Sequence, residues 1–269
     1  MSRPAAVITG AASGLGRALA ESLAEAGWRL ALVDLPGATE ASLSEVVATC
    51  RQRGGDAFAT GFDVRDAVGW QSLHDRLRAD WTTLDLVVNS AGVGATGEVG
   101  WLPESQWRRV IDTNLLGTAL GCETFLPWLR SHPGRSHLVN VASIAGVLAL
   151  PSMAAYSASK AGVIALSESI AAESRRGRPG VTVVCPGFFR SGLLDSWHFS
   201  SEVESREAHR RMAATGLSSE RLARRVLRAI EWNERYLVVG LQARWLWRLK
   251  RLAPRLTTGL VGAVYRRLR

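Results

Sequence analysis

Residues 5–34 narrow the choice of fold more than any other stretch. A short apolar run, Ala5–Thr9, ends in Gly10-Ala11-Ala12-Ser13-Gly14-Leu15-Gly16. Residues 17–26 read as a helix that Gly27 stops, and residues 30–35 as a second strand with Asp34 near its end. Strand, glycine turn, helix and strand make a βαβ unit. Glycines let backbone amides approach a pyrophosphate, and the helix N-terminus attracts its charge. Asp34 lies 18 residues beyond Gly16, where an acid can hold the adenine-side ribose. The spacing G-x-x-x-G-x-G departs from the fingerprint G-x-G-x-x-G, so the turn alone is weak; the flanking strands and the acid strengthen it.

The alternation continues. Helices are predicted at 38–53, 68–79, 103–129 and 156–175. Strands are predicted at 56–62, leading into Asp63-Val64, at 84–88, at 137–141 and at 180–185. This order implies a parallel sheet with right-handed crossovers in one α/β, doubly wound Rossmann domain over residues 1–242. Polar or small residues close several strands: Asn89-Ser90-Ala91-Gly92, Ala142-Ser143 and Pro186-Gly187. Ligands bind at that carboxyl edge in open α/β folds. From composition alone Asn89–Gly92 reads better as a plain turn. Asn114, inside a predicted helix, either faces solvent or marks a polar break beside the site.

Tyr156 and Lys160 lie one turn apart on a single helix face. A free tyrosine ionises near pH ~10, and a neighbouring ammonium favours the phenolate. Such a pair can take a proton from an alcohol or give one to a ketone. The chain has two lysines, Lys160 and Lys250, against 31 arginines. A lysine at 160 suits a compact ammonium reaching a ribose hydroxyl and the phenol together. By itself a chance Y-x-x-x-K on an ordinary amphipathic helix explains the pair better; what overturns that lies elsewhere in the chain. Ser143, at a strand end thirteen residues earlier, could donate to a developing oxyanion.

Composition excludes other classes. The net charge of +9 arises wholly from residues 235–269, which hold nine Arg and Lys and no acid; residues 1–234 balance at 24 of each sign. A basic core tracking nucleic acid is not indicated. Cys50, Cys122 and Cys185 have no metal spacing and suggest a reducing compartment. No metal site, targeting segment or transmembrane helix is expected, and a cytoplasmic location follows.

Together these motifs resemble the short-chain dehydrogenase/reductase family of single-domain type. Thr9–Gly16 is similar to its TGxxxGxG loop. Asn89–Gly92 is similar to NNAG, with Ser90 replacing an asparagine. Asn114, Ser143, Tyr156 and Lys160 fall at its catalytic tetrad, and Pro186-Gly187 with Ser191 is similar to PGxxxT. The resemblance implies that Tyr156 transfers the proton and Lys160 lowers the tyrosine pKa and holds the nicotinamide ribose. It implies that Ser143 fixes the substrate oxygen and Asn114 anchors a water. Implied cofactor contacts are Gly10, Ser13, Gly14, Leu15, Gly16, Asp34, Asp63, Val64, Asn89, Ala91, Gly92, Tyr156, Lys160, Pro186, Gly187, Phe189 and Ser191. Asp34 favours NAD(H), since it would repel a 2′-phosphate and Leu35-Pro36-Gly37 supplies no arginine; Arg17 is the nearby cation that complicates this. An NADP(H)-dependent carbonyl reductase is the alternative, and a non-catalytic nucleotide-sensing scaffold a further one.

The family places a substrate lid at about 190–216. Here Leu193, Leu194, Trp197 and Phe199 either line an apolar pocket or pack the lid, and His198 reads as a packing residue. With Ser143, Val93 and Leu150, residues Leu194 and Trp197 suggest a hydrophobic alcohol or ketone, steroid-, retinoid- or lipid-like. The family also implies a homo-oligomer, dimer or tetramer. Residues 243–269 extend beyond the domain as a basic amphipathic helical tail that Pro254 divides. Arg244, Arg248, Arg251 and Arg255 form one stripe, and Trp245, Leu249, Leu252 and Leu256 another. Such a tail could lie peripherally on the inner membrane surface or pack on its own domain or a partner subunit.

Overall fold

The computed structural model describes residues 3–36 and 40–267. Chain order runs β1 (Ala5–Thr9), α1 (Gly14–Glu25), β2 (Arg29–Asp34), α2 (Glu40–Gln52), β3 (Asp56–Gly61), α3 (Ala67–Asp80) and β4 (Leu86–Asn89). It continues with α4 (Glu104–Ile111), a π-turn (Asp112–Leu116), α5 (Gly117–Arg130), β5 (His137–Val141), α6 (Ala145–Leu148), α7 (Ala154–Glu173) and β6 (Gly180–Pro186). A 3₁₀ turn (Gly192–Ser196), α8 (Glu202–Ala214), α9 (Ser219–Glu231), β7 (Tyr236–Val239), α10 (Leu241–Leu252) and α11 (Pro254–Arg267) complete it.

The seven strands form one parallel sheet in the order β3-β2-β1-β4-β5-β6-β7. Successive strand residues point to opposite faces. Ile8, Leu30 and Leu32 therefore pack with α1, α2 and α9, while Val7, Val33 and Val87 pack with Trp70 of α3 and Phe125 of α5. Both faces are covered, so the strands read as continuous apolar runs. The direction of winding reverses between β1 and β4. That is the switch point at which the carboxyl ends open a crevice.

The predicted helix over 103–129 is interrupted. Asn114 sits in the π-turn between α4 and α5, fully buried. The polar-break reading holds, and the solvent-facing one does not. π-bulges of this kind recur at functional sites.

The tail folds back on the domain. Ala243 and Trp247 pack against Ile144 and Tyr236. Arg244 Nε donates to the Val238 carbonyl at 3.0 Å. Arg251 pairs with Glu168 and lies over the rings of Tyr236 and Trp247. The arginine stripe is thus split, with Arg244 and Arg251 held on the domain and Arg248 and Arg255 in solvent. Gly37, Leu268 and Arg269 lie outside the described residues. Among the described residues no helix is long and apolar enough to cross a membrane.

Candidate active site

One cleft of about 760 Å³ runs along the carboxyl ends of β1, β2, β4, β5 and β6. At one end lies the turn between β1 and α1. The Ser13 side chain makes no cap bond to α1, so the first amides of that helix are uncapped beside the cleft. Gly16 is forced: a Cβ there would lie 2.1 Å from the Gly10 carbonyl oxygen, so only glycine lets α1 start this close to the turn. Asp34 accepts from the Ala12 amide at 2.8 Å and the Leu35 amide at 2.9 Å, tying β2 to the turn. Uncapped amides, a glycine turn and a half-buried acid fit a dinucleotide. Arg17 is turned to Glu21 and Glu45, which raise its pKa. Arg65 chelates Asp63 and holds that carboxyl below its usual range.

The loop after β4 is set from below. Thr9 Oγ1 accepts from the Ser90 and Ala91 amides at 3.0 and 3.1 Å. Asn114 Oδ1 accepts from the Val93 amide at 2.8 Å, and its Nδ2 donates to the Val93 carbonyl at 2.9 Å and Ser159 Oγ at 3.0 Å. Asn114 therefore clamps the loop to α7 rather than lining the cleft. A Cβ on Gly92 would stand 3.2 Å from Asn114 Oδ1 and 3.3 Å from Lys160 Nζ, which shows how closely these groups converge.

Asn89 corrects the sequence reading. It is buried beneath the loop, donates to Asn140 Oδ1 at 2.9 Å and does not line the cleft. Gly10, Ser13, Gly14, Leu15, Asp34, Asp63, Val64, Ala91, Gly92, Pro186, Gly187, Phe189 and Ser191 do line it. Gly16 and Asn114 lie behind the lining.

Ser143, Tyr156 and Lys160 meet on the floor. Ser143 lies beside the Tyr156 hydroxyl, close enough to favour its ionised form, and accepts from the Ala145 amide at 3.1 Å. Lys160 Nζ donates to the Val141 carbonyl at 2.8 Å and stands 5.8 Å from the Tyr156 ring centroid. Both are buried. Burial pushes the Tyr156 phenol up to about 12, against the opposing effect of Ser143. Burial brings Lys160 down to about 8, against a smaller upward pull from Cys185. The lowered phenol implied by the family resemblance is not what these surroundings produce. Desolvation outweighs an ammonium that is itself desolvated and bonded to a carbonyl.

The lid closes the far end. Trp197 tilts 51° over Tyr156 with centroids 4.9 Å apart, and Phe199 stacks on Trp197. A Cβ on Gly94 would lie 2.2 Å from the indole, so the lid can seat there only over glycine. His198 pairs through its backbone with Gly94 and Thr96, at 3.0 and 2.8 Å, and does not line the cleft. Arg109 fastens the same joint, donating to the Gly94 and Ser196 carbonyls at 2.8 and 3.1 Å. Val93, Leu150 and Leu194 line the wall with Trp197. Sequence reasoning missed Arg65, Arg109, Phe188, Met153 and Met212 as lining residues. Their only signal was proximity to recognised positions. Among the described residues no cluster of His, Cys, Asp and Glu could hold a metal.

Comparisons with known proteins agree with this geometry. A family model described as short chain dehydrogenase matches residues 4–200. FabG of Staphylococcus aureus, a 3-oxoacyl-(acyl-carrier-protein) reductase, is 35% identical over 192 residues, 71% of this chain and 76% of FabG. The probable oxidoreductase EphD of Mycobacterium tuberculosis is 29% identical over 255 residues. That alignment takes in 92% of this chain but 43% of EphD, so the chain spans less than half of that relative's length. A short chain dehydrogenase/reductase from Burkholderia phymatum, solved in complex with NAD, superposes with a TM-score of 0.87 at 30% identity over 95% of each chain.

Proposed function

The chain belongs to the short-chain dehydrogenase family, and from that premise we propose that it interconverts a hydrophobic secondary alcohol and its ketone with NAD(H), using Tyr156 as acid and base. Enzymes of this family are NAD(P)-dependent oxidoreductases, and this chain is one of them. The bound nicotinamide supplies the hydride acceptor or donor. The chain's own residues bind, orient and move the proton. The uncapped amides of α1 and the Gly10–Gly16 turn hold the pyrophosphate, and Asp34 holds the adenine-side ribose. Ser143 fixes the substrate oxygen beside the Tyr156 hydroxyl. Tyr156 gives that oxygen a proton in reduction and takes one in oxidation. Lys160 holds the nicotinamide ribose and offsets charge on the phenolate. Asn114 keeps Lys160 and the Val93 loop in register.

The observation that carries this reading is the convergence of Ser143, Tyr156 and Lys160 on one cleft floor, with an apolar wall of Trp197, Val93, Leu150 and Leu194 beside it. That wall suits a steroid-, retinoid- or lipid-like alcohol. The commitment of Arg17 to Glu21 and Glu45, and of Arg65 to Asp63, supports NAD over NADP. The reading extends to assembly and place: a homo-oligomer whose tail, residues 243–267, lies at the inner membrane surface. A panel of hydrophobic secondary alcohols with NAD, read by absorbance of the reduced nicotinamide, tests the chemistry. Turnover of apolar members is expected; activity confined to small polar alcohols would overturn the substrate class.

A further inference from the structure

The packing of the tail leaves a set of large apolar side chains facing solvent. On α10, Trp245 is 69% exposed and Leu252 85%; on α11, Leu256 is 56% exposed, Leu260 49% and Val264 58%. Leu241, Trp245 and Leu252 fall within about 40° on the helix, since each residue turns it by ~100°. Leu256, Leu260 and Val264 recur every fourth residue, which again makes one face. The exposed apolar residues are therefore a face of each helix, not scattered positions.

A second stretch joins them. Val99 and Trp101, on the loop between β4 and α4, are 73% and 83% exposed. Tyr265 of α11 bonds Glu98 at 2.8 Å and Ser152 Oγ at 2.7 Å, so this loop and the helix stand side by side. Ser152 in turn precedes Met153, and Leu150 and Met153 line the substrate end of the cleft. The Gly97 amide donates to the Ser152 carbonyl at 2.8 Å, binding the same loops together. Helix α11 and the loop that carries Val99 and Trp101 thus meet at Ser152, next to the cleft-lining Met153.

The charge on the two tail helices has one sign. Arg248, Arg255, Arg266 and Arg267 are exposed, and no acid follows Glu234. Exposed tryptophan and leucine amid arginines match an interface of acyl chains and anionic headgroups. A second copy of this chain docked on the same face would set arginines against arginines, a like-charge juxtaposition that an anionic headgroup layer avoids.

We propose that Trp245, Leu252, Leu256 and Leu260, together with Trp101 and Val99, form a docking face for an anionic phospholipid bilayer and set the mouth of the substrate cleft against it. Apolar substrate then passes between cleft and bilayer without crossing water. This rests on the placement of the tail at a membrane proposed above, and not on the catalytic assignment.

The test is co-sedimentation of the full chain with vesicles of phosphatidylcholine alone or doped with phosphatidylglycerol, at low and high salt. Wild type is expected to partition onto the anionic vesicles about tenfold or more over the neutral ones, and to release as salt rises. The triple variant Trp245→Ser, Leu252→Ser, Leu256→Ser, and separately Trp101→Ser, should each weaken partition while keeping wild-type thermal melting. If both variants bind like wild type, this face is wrong although the membrane placement stands. If wild type itself ignores anionic vesicles, the placement fails as well. If the triple variant instead loses self-association by light scattering without lipid, the face is a subunit interface and the proposal is overturned.

Discussion

Asp34→Asn isolates the charge on which the cofactor preference is argued. The amide keeps an oxygen for one of the two backbone amides, Ala12 or Leu35, that the carboxylate now accepts from. The fold of the turn is thereby largely spared, and the negative charge goes. Two unit charges about 4 Å apart interact by roughly 4 kcal/mol at an effective dielectric near 20. Asp34 is half-buried, so solvent screening reduces this to about 2 kcal/mol. At ~1.4 kcal/mol per decade, relief of that repulsion strengthens NADPH binding about 30-fold. The same change exchanges a charge-assisted ribose bond for a neutral one, worth ~1 kcal/mol, and weakens NADH about fivefold. Titration calorimetry with NADH and NADPH measures both without any substrate. Wild type should prefer NADH, and the ratio should move by about two decades in the variant. A wild type that binds NADPH more tightly, or a variant whose ratio is unmoved, would refute the electrostatic argument.

Three further outcomes follow from the packing. Gly94→Ala drives a methyl into the Trp197 ring, so the lid must lift from Tyr156; KM for an apolar substrate should rise severalfold while NADH affinity holds, and unchanged kinetics would mean the lid does not seat there in solution. Asn114→Leu leaves the Val93 amide and carbonyl without their partner, while the Ser159 hydroxyl keeps its bond to the Tyr156 carbonyl; at ~1–3 kcal/mol per stranded group, urea unfolding should register a loss of about 2–5 kcal/mol. His137 is buried against Thr182, and burial lowers its pKa from 6.5 to about 4. Between those values the unfolded chain binds a proton that the native one does not, so stability falls as pH drops through that window, by about 3 kcal/mol in total. His137→Gln should flatten the slope of unfolding free energy between pH 6.5 and pH 4, the two pKa values that bound the window; an unaltered slope would assign it to other groups.

Much of the fold was readable because its signals are local. The turn at Gly10–Gly16, the alternation of strands and helices, and the Tyr156–Lys160 spacing each occupy a few consecutive residues. What escaped depends on contacts distant in sequence. Asn114 left two readings open in the sequence, and the partner that settles it as a buried polar break is Val93, 21 residues away. Asn89 sits at a strand end like its neighbours in the cleft, yet the pleat turns it under the sheet to Asn140, 51 residues on. The raised phenol of Tyr156 follows from burial, with the lid residue Trp197 lying against its ring, and no spacing rule can supply that. In the tail the helical stripes were visible, but which side would turn inward was not. Ala243 and Trp247 face the domain because Tyr236 and Ile144 offer the surface, which leaves Trp245 and Leu252 outside.

The central claim is that the Tyr156 hydroxyl moves the proton while the rest of the cleft binds the nucleotide. Tyr156→Phe removes one oxygen and retains the ring against Trp197. Turnover of the best alcohol from the panel should fall by about 10²–10⁴-fold, with NADH affinity by calorimetry unchanged. A variant that keeps a substantial share of wild-type turnover, or that loses NADH binding in step with activity, would contradict the account.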